Sequence, residues 1–439
     1  MKRILPIALV LLAGCGTSFN SVGEVTVESS GVEITESNVA TTADADWASW
    51  RGPSGNGIAT DQPIPTSWSA DKHVIWHAKV PGRGHGSPIV TGDQVFLATA
   101  DEHKQQQSIV AFSRADGALQ WQTPVAVGGF PNTSQMHGKS THANGTLACD
   151  GRQVYGAFLG NGKVTAVALD LSGKEVWKQV ICRFNSKFGY APSPALYKSM
   201  VIFAADNQGG GCIAALDCKS GKIAWRKPRP AIATYSSPVI ARVAGRDQLV
   251  ISGCNRVTSY DPNTGKEIWS CPGVSEATCG TVVWDERHVF ASGGHPEAET
   301  ICVLADGSGT KIWSNSTRAY EPSMVVYEGH LYTVTDNGIA HCVDAATGNQ
   351  KWRKRLGGSF SASPTICNGL IYVTNDRGKT HVFHASPKAC VLVSENQLGT
   401  DAYASPAISA GQMFLRVGMD GPNGRQELLF CIGVAHGEA

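Results

Sequence analysis

One stretch, Tyr260-Asp261-Pro262-Asn263-Thr264-Gly265-Lys266-Glu267-Ile268-Trp269, recurs along the chain, and a recurring hairpin restricts the fold more than any other feature. Asp, Pro, Asn and Gly supply tight-turn chemistry, and Ile268 and Trp269 restart an apolar strand pattern. Copies run from Asp217 to Trp225 and from Asp344 to Trp352, with shorter versions from Asp170 to Trp177 and from Asp306 to Trp313. Ser113 to Trp121 keeps Gly117 and the Trp without the Asp. A second signal pairs with the first. Ser87-Pro88, Ser193-Pro194, Ser237-Pro238, Ser363-Pro364 and Ser405-Pro406 each open an apolar stretch, and Asn144-Gly145, Gly280-Thr281 and Pro322-Ser323 stand at the three remaining places. Proline suits the first residue of a strand, where a missing N–H is tolerated.

Each opening leads through three strands to the turn and the Trp strand, so the unit is a four-stranded antiparallel meander. Eight openings define eight units. The seventh has Val391-Leu392-Val393 where its Trp is expected, and the eighth runs out at Leu428–Ile432 without a fourth strand. The N-terminal segment 73–80, His-Val-Ile-Trp-His-Ala-Lys-Val, is a Trp strand with no partners before it. Adding it to the last sheet closes a ring and removes the exposed edge of an open array. The expected fold is therefore all-β: an eight-bladed β-propeller of four-stranded antiparallel blades, closed by strand 73–80, with seven blades as the alternative if the Asn144 unit is irregular. Trp76, Trp121, Trp177, Trp225, Trp269, Trp313 and Trp352 are read as structural docking residues that pack over a turn glycine of the neighbouring blade.

Ahead of this body lie two segments of different character. Lys2 and Arg3 followed by the apolar run Ile4 to Leu12 form an export signal too short to span a bilayer as a mature helix. It ends in Leu12-Ala13-Gly14-Cys15, which resembles a bacterial lipobox and implies lipidation of Cys15. Residues 1–15 are thus read as signal peptide and lipobox, 16–46 as a disordered acidic tether, and 47–439 as the propeller. The formal charge is +1, and no run of Lys or Arg stands out, so a nucleic-acid partner is unsupported. Cys271 and Cys279 bracket one loop and are the first expectation for a disulfide.

The pattern Val343-Asp344-Ala345-Ala346-Thr347-Gly348-Asn349-Gln350-Lys351-Trp352 resembles the tryptophan-docking motif of PQQ-like β-propeller repeats. That family includes quinoprotein dehydrogenases and the BamB-type lipoproteins of outer-membrane β-barrel assembly. Lipobox, tether and single propeller are similar to the second group. The resemblance implies a lipid-anchored, periplasm-facing, non-catalytic scaffold in the cell envelope, probing envelope or outer-membrane proteins as partners, monomeric, and with no cofactor. The alternative it implies is a PQQ-dependent oxidoreductase with calcium, or a small-ligand-binding propeller. Against the quinoprotein pattern, the sequence has no adjacent cysteine pair and no C-x-x-C-H haem site.

Aligning the units exposes one further pattern. Just before the openings stand His85, His142, Tyr190, Tyr235, Thr278, Tyr320, Phe360 and Tyr403. Residues there rim the central channel of a propeller, so the seven rings form a candidate ligand funnel, or else a plug. Loop 122–143 enters the same face. Its His137 and His142 are weak candidates for a metal pair, with no third ligand evident and no metal expected. No catalytic residue is assigned.

Overall fold

The computed structural model of the protein describes residues 28–29, 31–36, 46–422 and 424–434. Among them, eight antiparallel four-stranded sheets form eight blades spanning 89–127, 148–183, 195–229, 239–272, 283–315, 325–355, 365–397 and 407–432. Blade 8 takes its fourth strand from Val74–Val80, which pairs antiparallel with Gly424–Ile432 as expected, with Trp76 opposite Cys431. The unit at Asn144 is a regular blade, so the ring has eight members. The signal, the lipobox with Cys15 and most of the tether lie outside the described residues. Within the tether, Glu28–Ser29 pairs with the outer strand of blade 3, and Thr35 exchanges hydrogen bonds with Ser199.

Side-chain alternation explains the stacking of blades. In register, a large residue on the second strand faces a small one on the third and the Trp on the fourth: Phe96, Ala111, Trp121 in blade 1 and Tyr332, Cys342, Trp352 in blade 6. Cys302, Cys342 and Cys431 fill this small buried position. All twelve cysteines among the described residues are unpaired, which corrects the expectation of a Cys271–Cys279 disulfide. Cys271 is in the core between blades 4 and 5, whereas Cys279 faces the channel mouth.

Each Trp reaches from its blade to the turn of the next. Trp177 donates its indole N–H to Cys218 O at 2.7 Å and covers Gly221. A Cβ on Gly221 would sit 2.6 Å from the indole, and its φ of +70° disfavours any side chain, so the turn requires glycine twice over. Trp76, Trp121, Trp225, Trp313 and Trp352 make the same bond to the next turn, at 2.8–3.0 Å. Trp269 does so through a relay. Its N–H goes to Gln248 Oε1 at 2.7 Å, which also accepts from Ser259, while Gln248 Nε2 donates to Ala305 O in the blade 5 turn at 2.7 Å. Gln248 is fully buried and also donates to Val243 O, so Gln248→Leu removes the partner of four polar groups. We expect a loss of about 2–3 kcal/mol, read as a lower urea midpoint with unchanged slope.

The turn aspartates fasten their own loops. Asp170 is held below the ordinary carboxylate range chiefly by the Ser172 hydroxyl, and Asp306 chiefly by the Ser308 backbone N–H. A depressed folded-state pKa contributes stability above the unfolded value near about 3.9 and loses it as pH falls through the lower folded value. Thermal midpoints should therefore fall below about pH 4, and Asp170→Asn with Asp306→Asn should make that fall shallower.

Blade 7 has a different solution to the missing Trp. The register places Ser394, not Val391–Val393, opposite Val382 at the Trp position. The ring comes from elsewhere: Trp68 of the N-terminal segment stacks on Tyr372 with centroids 6.4 Å apart, and Ser394 bonds Thr66 O. There is a reason for the exception. The third and fourth strands of blade 8 belong to opposite ends of the chain, so no turn joins them and no docking glycine exists there. Val391, Leu392 and Val393 are left exposed.

Candidate central channel

The openings converge on the ring axis, where they build a belt of hydroxyls linked between neighbouring blades at seven of the eight seams. The backbone N–H of Ser87 donates to Thr146 Oγ1, Thr146 to Ser193, and Ser193 to Ser237. Thr281 N–H donates to Ser323, Ser323 to Ser363, Ser363 to Ser405, and Ser405 back to Ser87, all at 2.8–3.0 Å. Thr281 Oγ1 accepts instead from the Trp50 indole N–H at 2.9 Å. The repeated Ser is therefore a clasp between neighbouring blades as well as a strand start.

Order along the first strands sets the depth of the channel. His85 stands at the mouth, Ser87 in the belt, and Val90 beyond it pairs with Trp47. Residues 46–59 then cross the axis and floor the channel. Ala48 O accepts from Cys149 in blade 2, and Arg51, fully buried, donates to Met324 O at 2.6 Å and Pro364 O at 2.8 Å in blades 6 and 7. The result is a pit open at one face. Its wide mouth has a volume of about 380 Å³, and its throat, bounded by the belt and Trp50, about 160 Å³.

Of the seven rings expected at the rim, His85, Tyr235, Tyr320 and Tyr403 line the mouth. The other three do not. Tyr190 is buried with its hydroxyl on Ala204 O at 3.0 Å, Phe360 is wholly buried between blades 6 and 7, and His142 stacks on Phe130 at 3.9 Å in a separate crevice. Their side chains turn sideways into inter-blade packing, which equal sequence spacing does not reveal. Thr278 is buried against Thr234. His137 is at the mouth, edge-on to Phe188, so the two loop histidines face different cavities. No group of three His, Cys, Asp or Glu side chains able to hold a metal occurs among the described residues.

The mouth is partly strapped by loop 128–147. Lys139 reaches Glu321 at 3.1 Å, Asp376 at 3.0 Å and Ser361 at 3.2 Å. Burial works against the charge on Lys139, but the two carboxylates more than offset it and raise its pKa. His85 lies flat against Tyr403 at 4.2 Å. Burial, reinforced by Arg83 and Arg416, holds it well below the ordinary histidine value and thus neutral at pH 7. Burial also pushes the Cys279 thiol up to about 12, so it is no nucleophile at neutral pH. Phe188, Lys139, Glu321 and the hydroxyl belt had no functional reading in the sequence, although Ser or Thr at all eight openings was visible there.

These residues do not fit a resident quinone and calcium of the quinoprotein kind. Cys279 has no cysteine beside it in the chain, and Glu321 and Asp376 are already committed to Lys139.

Fold and channel together define an eight-bladed propeller of PQQ-like repeats. The chain belongs to the family described as outer membrane protein assembly factor BamB, whose model matches residues 58–179, 105–303 and 297–388. It is 25% identical over 322 residues to BamB of Yersinia pestis, covering 71% of this chain and 64% of that protein. It is 23% identical over 368 residues to a polyvinylalcohol dehydrogenase of a Pseudomonas species, covering 78% of this chain and 49% of the dehydrogenase. The chain thus spans less than two thirds of either relative. Among solved structures, BamB from Moraxella catarrhalis superimposes with a TM-score of 0.58 at 12% identity, over 81% of this chain and 99% of that one. A europium-containing methanol dehydrogenase gives 0.66 at 12% identity, over 90% and 100%. These two likenesses concern fold alone.

Proposed function

We propose that the protein is a lipid-anchored scaffold of the cell envelope, facing the periplasm, that binds outer-membrane or other envelope proteins and performs no catalysis. The observation that carries this reading is the Lys139 clasp, which engages Glu321, the carboxylate lining the mouth, together with Asp376, and so occupies the group an acid–base or metal reaction would use there. Family membership and the lipobox at Cys15 support the same reading. Deleting the gene should lower the amount of folded outer-membrane β-barrel protein, seen as loss of heat-modifiable bands, and the N-terminal peptide should carry an acylated Cys15. Unchanged barrels together with an unmodified N-terminus would overturn it.

The oxidoreductase reading draws on one observation, the similarity to polyvinylalcohol dehydrogenase over most of this chain. Dye-linked alcohol oxidation after incubation with PQQ and calcium decides it: sustained turnover replaces the scaffold reading, and none removes the alternative.

A further inference from the structure

The throat of the pit offers more hydrogen-bond donors than the protein itself uses. Each of the eight belt hydroxyls accepts one N–H, and none donates to another group among the described residues. A hydroxyl carries one proton and two lone pairs, so each retains its proton. Seven of the eight border the throat. Above them, the Tyr235 hydroxyl and His85 Nε2 are buried without a partner, and both residues line mouth and throat alike. A buried polar atom left unpaired is costly, and a fitting ligand recovers that cost.

Charge points the same way. Arg51 follows Trp50, which borders the throat, and its guanidinium bonds only carbonyls, those of Pro364, Asn56 and Met324. Burial lowers it to about 9, so it is still cationic at neutral pH. At the mouth, Arg318 and Lys187 have no carboxylate within ion-pair distance among the described residues. Glu321, the one carboxylate lining the pit, shares Lys139 with Asp376 and accepts from the Ser361 hydroxyl. Unspent donors between uncompensated cations suit an acceptor-only group, which a carboxylate is and an alcohol, amide or ammonium is not. Between throat and surface stand Phe188, Tyr235, Tyr320 and Tyr403, a wall for a flat apolar body.

We propose that the pit binds a small organic carboxylate, with the charged group seated among the belt hydroxyls, Tyr235 and His85, and an apolar body between the mouth rings. The neutral His85 offers Nε2–H as a donor in the appropriate tautomer. This site does not rest on the scaffold reading, and either can fail without the other.

The test uses the purified full-length chain and para-fluorobenzoate observed by fluorine NMR, with para-fluorobenzamide as the uncharged isostere. Benzoate should bind saturably, the amide about tenfold more weakly, and rising salt should weaken benzoate alone. Tyr235→Phe should weaken benzoate about fivefold without lowering the thermal midpoint of the ligand-free protein, since the hydroxyl it removes has no partner there. Arg318→Gln, an exposed position that cannot disturb folding through burial, should weaken it about threefold. Equal binding of acid and amide, no saturable binding of benzoate, or an affinity indifferent to both substitutions overturns the proposal.

Discussion

Replacing Trp68 by alanine should cost about 3–5 kcal/mol, although Trp68 lies outside every repeat. It is 4% exposed and packs in the cluster that joins blades 7, 8 and 1, against Tyr372. The six indoles that dock directly on a turn are held by their own strand, but Trp68, whose indole N–H has no partner among the described residues, reaches its place from the segment before Val74–Val80. Its loss should therefore open the seam between blades 7 and 8 and, with it, the ring. Urea unfolding of Trp68→Ala beside Trp352→Ala checks this: the first should lower the midpoint at least as much as the second. Hydrogen exchange should localise the added opening to Val74–Val80 and 365–397, whereas Trp352→Ala should open the seam of blades 6 and 7. Trp68→Phe should recover about half of the loss.

Glu427→Gln should be as damaging, by about 3–5 kcal/mol, for an electrostatic reason. Arg416 and Glu427 form an ion pair at 2.7 Å with both side chains almost wholly buried. Burial pulls the Arg416 pKa down, Glu427 restores part of it, and the same guanidinium donates to Ala98 O and Gly86 O of blade 1. Glu427 also holds Arg425 at 2.7 Å, and Arg425 holds Asp401. The amide leaves a buried cation without its counter-charge at the closing seam. Arg416→Met combined with Glu427→Leu removes the charge with its partner and should cost much less. Thermal midpoints of the single and double variants give the comparison directly.

Much of the fold was legible because a repeat is read by comparison with itself. Blade number, strand count and closure by Trp76 all followed from gaps in one pattern. Trp68 was not legible, since its role is set by Tyr372 and Ser394, more than 300 residues away and in no motif with it. The channel was half legible. Spacing singled out one position per unit, but side-chain direction separates His85, Tyr235, Tyr320 and Tyr403, which line the mouth, from Tyr190, Phe360 and His142, which do not, and direction depends on the packing of each seam. The hydroxyl belt was present in the sequence as Ser and Thr at every opening. Its meaning needs the ring, because seven of the eight hydroxyls serve the neighbouring blade, and that of Thr281 serves Trp50 of the floor segment.

The floor segment also decides how the molecule would carry a load. A tug on the N-terminal end is met first by the pairing of Glu28–Ser29 and Thr35 with blade 3, then by residues 46–59, where Arg51 is riveted to carbonyls of Met324 and Pro364, then by Trp68. Only after these give way does tension reach Val74–Val80, the strand whose removal would unzip blade 8. The anchorage is spread over blades 1, 2, 3, 5, 6 and 7 before the fastening itself is stressed. Strain from that end is thus shared around the circumference, and the joint that makes the circle is the last part to feel it.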